Sequence, residues 1–130
     1  MKTMALALLF ALMLTGAGYA NQIHSVIAVD YLTVEVMMDE PLTEAELARP
    51  APAGGKDPVF LFNEGVYMTG APIPQRFDGF HDNVYRIPVS GMDIGPIYQI
   101  SYASQKPRTF KVYEGREMTE RYRNRYGSYF

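Results

Sequence analysis

Between Val26 and Val112, bulky apolar residues recur at every second position in short runs, a spacing that fits extended chain and little else. In the first run Val26 and Ala28, then Leu32, Val34, Val36 and Met38, keep the period of two, with Thr33, Glu35 and Met37 between them. Successive side chains of a strand point to opposite faces. The spacing therefore predicts strands over about 24–29 and 32–38, bent at Asp30-Tyr31, with one face on a core and Glu35 turned to solvent.

The remaining segments continue the pattern with turn signals between them. Thr43 and Glu46 have capping-box spacing, which predicts a single helical turn over 44–48 that Pro50 stops. Residues 49–58 hold three prolines and two glycines and read as a loop. Val59–Phe62 and Val66–Thr69 flank Asn63-Glu64-Gly65, as a hairpin would. A proline-rich stretch through Pro72 and Pro74 leads to a turn at Asp78-Gly79. Val84–Val89 alternates, and Pro88 within it, having no N–H to donate, suggests a sheet edge or a bulge. Ser90-Gly91 and Asp93–Pro96 turn the chain into a strand over 97–102, and Lys106-Pro107 turns it back through 109–113. Seven or so short strands with almost no helical periodicity predict an all-β antiparallel sandwich over residues 21–114.

The two ends differ from this middle. Lys2, the uncharged apolar run Met4–Leu14, and the small residues Gly18 and Ala20 around Tyr19 have the form of a secretory signal peptide over residues 1–20, cleaved after Ala20. A membrane-spanning helix needs about 20 apolar residues, so this run is too short to be one. The expected product is exported, to the periplasm or to the cell surface and medium, with no membrane span in its mature form. At the other end, residues 115–130 form a basic, aromatic tail. Met118, Tyr122 and Tyr126 are spaced four apart, as on a short amphipathic helix.

Composition narrows the classes of function. The chain has 12 Lys and Arg against 14 Asp and Glu, and one of the cations, Lys2, lies in the leader, so the mature part carries 11 against 14. This slightly acidic balance argues against nucleic acid as a partner. There is no cysteine, so stability has to come from packing, without disulfides. Catalysis by a nucleophile and base would draw on the two histidines, His24 and His81. His81 shares the segment Asp78–Asp82 with two carboxylates, which is too few ligands for a calcium loop, and Asp-Gly is itself a turn signal. No phosphate loop or metal-binding helix motif is present. The reading is of a non-enzyme, with no cofactor and no metal site.

Two segments resemble the bacterial immunoglobulin-like domains of surface-layer and other cell-envelope proteins. Ser25–Ala28, Thr33–Val36 and Asp39–Thr43 are similar to the opening strand pair and following loop of such modules. Tyr85–Val89, Gly95 and Tyr98–Tyr102 are similar to their closing strands. The resemblance implies an immunoglobulin-like or fibronectin-like sandwich and a role in binding or assembly at the envelope, on an envelope polymer or another envelope protein. The expected contact residues are those where cations and rings alternate in the tail, Arg121, Tyr122, Arg123, Arg125, Tyr126 and Tyr129, a combination that pairs with anions and stacks on planar groups. The alternative is a carbohydrate-binding accessory domain, which would require Tyr85, Tyr98 and Tyr102 to stand exposed in a row.

Overall fold

A computed structural model describes residues 21–49, 58–76 and 82–126. The leader at 1–20, the Asp78-Gly79 turn, His81 and Tyr129 lie outside the described residues. In chain order the elements are β1 (Ile23–Asp30), β2 (Thr33–Met38), α1 (Glu44–Leu47), β3 (Phe60–Phe62), β4 (Ile73–Gln75), β5 (Val84–Pro88), β6 (Ile97–Tyr102), β7 (Arg108–Lys111) and α2 (Gly115–Tyr126). The strands form two antiparallel sheets, ordered β1-β2-β5-β4 and β3-β6-β7. Among the described residues no helix is long and apolar enough to cross a membrane.

Register turns the alternation of the sequence into a shared interior. In the first sheet Ala28 pairs with Val34, Val34 with Ile87, and Val36 with Tyr85, which aligns apolar positions of three strands on one face. In the second sheet Phe60 pairs with Tyr102, Phe62 with Ile100, and Tyr98 with Phe110. Val34, Val36, Met38, Ile87 and Ile100 are each 0% exposed, and Phe60 only 1%. Tyr98 stacks on Phe110 with centroids 5.7 Å apart, and Phe62 meets Phe110 edge-on at 6.2 Å. Each such side chain contributes about 1.5–3 kcal/mol by leaving water. The sheets also meet along one side, where the Arg108 guanidinium donates to the carbonyls of Ile23 at 2.6 Å and His24 at 3.0 Å.

Local expectations and local structure agree at several points. The Asp30 carboxylate accepts from the Leu32 amide at 2.8 Å and closes the β1–β2 turn. Thr43 Oγ1 accepts from the Glu46 amide at 3.1 Å, and the Glu46 carboxylate accepts from the Thr43 amide at 2.9 Å, forming the expected capping box on α1.

Three expectations are corrected. The turn at Asn63–Gly65 forms, with Glu64 at φ 55° and Gly65 at φ 77°, but its flanks do not pair as a hairpin. β3 joins β6 in one sheet, while Met68 bridges to Val89 beside the other, so the turn carries the chain across the sandwich. Pro88 is not on an edge strand, because β5 lies between β2 and β4. Its carbonyl accepts from Thr69 rather than from β4, which has already ended, so the missing N–H falls where no ladder continues. The return between β6 and β7 is made at Ala103, at φ 56°, with the Gln105 amide bonded to the Tyr102 carbonyl; Lys106-Pro107 follows the turn.

Candidate functional site

Residues Gly115–Tyr126 of the tail form α2, in keeping with their four-residue spacing. The chain leaves β7 through Tyr113-Glu114 and bends at Gly115, whose φ of 33° favours glycine. The Glu114 carbonyl then accepts from the amides of Glu117 and Met118 to start the helix. Met118 is buried, at 7% exposure, and lines a small cavity with Val29 and Val112. One turn later Tyr122 comes down on the outer face of the first sheet.

There it meets the residue that alternation directs to solvent. Glu35 does point away from the apolar interior, as its parity requires, yet it is 0% exposed. Arg86, directly across from it on β5, donates from Nε to Glu35 Oε1 at 2.9 Å. The Tyr122 hydroxyl donates to the same oxygen at 3.1 Å and accepts from Arg86 Nη2 at 3.1 Å. Three residues from two strands and a helix thus close a ring of hydrogen bonds over one carboxylate. Burial by itself would lower the Arg86 pKa, but its bonds to Glu35 and Tyr122 and the Glu35 charge outweigh that and raise it above the ordinary guanidinium value. Burial raises the Tyr122 pKa, and the Glu35 charge adds to this against the opposing bond from Arg86. Arg86 therefore stays charged and Tyr122 neutral at neutral pH, and the ring of bonds acts as a clasp for α2.

The expected contact residues of the tail are therefore not one surface. Tyr122 is half-buried in the clasp and is not available for stacking on a ligand. Arg121 lies with its guanidinium carbon 3.9 Å from the centroid of the Tyr113 ring and pairs with Glu117 at 3.2 Å. Arg123 is exposed. Arg125 and Tyr126 belong to the last turn of α2, and their side chains lie outside the described residues, as does Tyr129. A cleft of about 450 Å³ opens between β1, β7 and α2, lined among others by Lys111, Tyr113, Arg121 and Asn124.

The row of tyrosines that a sugar platform requires is not on the surface. Tyr85 is 2% and Tyr98 3% exposed. Both hydroxyls serve the fold: Tyr85 accepts from the Leu42 amide at 2.8 Å, and Tyr98 from the Asp93 amide at 2.7 Å. Tyr102 is half-buried and donates to Glu46. Of the groups weighed for catalysis, His24 is exposed beside Asp39 at 3.4 Å. Among the described residues no group of three or more His, Cys, Asp or Glu side chains is placed to hold a metal ion.

What alternation does not reveal is an apolar end. Tyr31, Leu32, Tyr67, Ile94 and Ile97 are exposed large apolar residues, at 44–62% exposure. They sit at one end of the sandwich, where main-chain bonds tie Met92 to Tyr31, Val89 to Leu32 and Ser90 to Tyr67. Leu32, which its spacing places on the core face, is instead exposed, because β2 begins only at Thr33 and an apolar residue at the tip of the turn has no strand face to share. The Glu35–Arg86 pair had a weak signal, opposite charges at alternate positions of two strands, which only the register brings together.

No protein-family model, no curated protein and no solved structure matches this chain.

Proposed function

We propose that the chain is an exported immunoglobulin-like domain that binds or assembles with another protein of the cell envelope and catalyses no reaction. Two features support the domain type. If the strands are lettered A to G, the sheets are ordered A-B-E-D and C-F-G, the arrangement of a seven-stranded immunoglobulin constant-type domain. Tyr98, near the start of the sixth strand, receives a hydrogen bond from the backbone five residues upstream, as the tyrosine corner of such domains does. Export is the role that residues 1–20 fit.

The observation that carries the binding role is the apolar end. Domains that work alone leave large apolar side chains scattered singly, whereas clustered ones mark contact surfaces. Of the exposed large apolar residues in the described parts, only Leu61 and Ile73 lie away from this end. Tyrosine and branched aliphatic side chains suit a protein partner better than a hydrated polymer, because they gain by excluding water and keep one hydroxyl for a rim contact.

The test is co-sedimentation of the processed protein with an envelope fraction, comparing wild type with Leu32→Asp/Tyr67→Asp. Retention should drop by about tenfold or more, as expected for losing well-buried anchors, with the melting temperature within a few degrees of wild type. Equal retention of the two forms rejects this surface.

A further inference from the structure

We propose that the cleft between β1, β7 and α2 is a binding site for a phosphate group, carried on a sugar or free. Its lining includes none of the exposed apolar residues of the apolar end, although Lys111 pairs with Ile97 across β6 and β7, and the inference goes beyond the binding role proposed there.

The cleft gathers donors and positive charge from three elements. Lys111 comes from β7, Arg121 and Asn124 from α2, Ser25 from β1 and Thr109 from β7, with Tyr113 joining the strand to the helix. Among the described residues no carboxylate lines it. Both cations lie against one ring, the Lys111 ammonium 5.5 Å and the Arg121 guanidinium carbon 3.9 Å from the Tyr113 centroid. Two like charges brought to one wall repel each other, and an aromatic face offsets part of that repulsion while holding each cation in place. A bound anion offsets the rest.

The existing partners of the two cations are weak competitors. Among the described residues Lys111 makes no ion pair, although Glu114 and Glu117 flank it on the side of Ile94. Arg121 pairs with Glu117 one turn earlier on the same helix, with both side chains half-exposed, an arrangement that water screens strongly. A guanidinium, an ammonium, two hydroxyls and a carboxamide present more donors than a single carboxylate accepts, and they match the several oxygens of a phosphate. The same hydroxyls and carboxamide suit the hydroxyls of an attached sugar.

The experiment is a titration of the purified chain followed by backbone amide NMR shifts, with glucose 6-phosphate, inorganic phosphate and glucose as probes. Glucose 6-phosphate should shift amides of 25–27, 109–111 and 121–124 with a Kd of about 1 mM or below, weakening as salt is raised. Arg121→Gln and Lys111→Gln should each weaken it by about tenfold, whereas Arg123→Gln, exposed and outside the cleft, should leave it unchanged. Because the two cleft variants change different elements, a loss of α2 in one does not remove the test; melting curves identify such a loss. Tighter binding of the sugar phosphate than of inorganic phosphate assigns the site to a phosphorylated glycan, and equal binding assigns it to phosphate alone. The proposal is overturned if neither phosphate binds by about 10 mM, if glucose binds as well as they do, or if both cleft variants bind like wild type.

Discussion

Both faces of β2 carry a residue wholly closed to water, for opposite reasons. On one, Val34, Val36 and Met38 meet the apolar side chains of the other sheet. On the other, Glu35 is sealed beneath Tyr122 and held by Arg86. The inner face is stabilised by removing apolar area from water, a contribution that many neighbours share and that survives small changes in geometry. The outer face depends on a few directed bonds compensating the desolvation of one charge, so its strength rests on every partner being present. A strand can therefore bury residues on both sides while its two faces answer differently to substitution.

Three substitutions separate these behaviours, taken from the largest effect down. Phe60→Ala removes a wholly buried ring from the inner side and should cost about 3–5 kcal/mol in urea or guanidinium unfolding. A loss under about 1 kcal/mol would mean that the two sheets do not share one interior. Arg86→Met leaves the Glu35 carboxylate with one fewer compensating partner. It should cost about 3 kcal/mol, and Glu35→Leu/Arg86→Met should recover most of that loss, since an apolar pair needs no compensation. If the double variant is no more stable than the single one, the clasp is not an ionic unit.

The third concerns a polar contact at the edge of the inner face, where the Tyr102 hydroxyl donates to Glu46. Burial first, and then the bond to Glu46 and its charge, push the Tyr102 pKa from the usual 10.0 up to about 12. A raised folded-state pKa means that its stabilisation is fully present below pH 10.0 and is lost as the pH rises through about 12. Tyr102→Phe should therefore cost about 1 kcal/mol at neutral pH, and its difference from wild type should shrink across that alkaline window. A difference that does not change with pH would show that the hydroxyl contributes through packing alone.

How much of this was legible depended on how far along the chain the deciding contact lies. The β1–β2 turn at Asp30, the capping box of Thr43 and Glu46, and the bend at Gly65 each close within four residues, so residue type at fixed spacing suffices to read them. The apolar and polar sides of β2 were legible too, because parity is a property of the strand itself. That the Tyr85 and Tyr98 hydroxyls serve the fold was not legible, since their partners are decided by where Leu42 and Asp93 come to rest. The segment Val66–Thr69 looked like a hairpin partner of β3 because hairpin and crossover have the same local signals. Their difference lies in which sheet the chain enters next, and Val89 decides that for Met68.

The candidate surfaces divide in the same way. Spacing in the tail marked Met118 and Tyr122 as one side of a helix but not what that side would cover. That Arg121 and Lys111 share the Tyr113 ring follows from the bend at Gly115, which lays α2 back along β1. By itself, the sequence determined that this chain forms short alternating strands with glycine, proline and asparagine at their ends, because backbone geometry and neighbouring side chains act over a few residues. Only the tertiary structure decided which strands share a sheet, that Glu35 is enclosed and not hydrated, and which cations meet. Those outcomes depend on groups as much as 87 residues apart entering one excluded volume, where the cost of desolvating a charge becomes a shared property of all its neighbours.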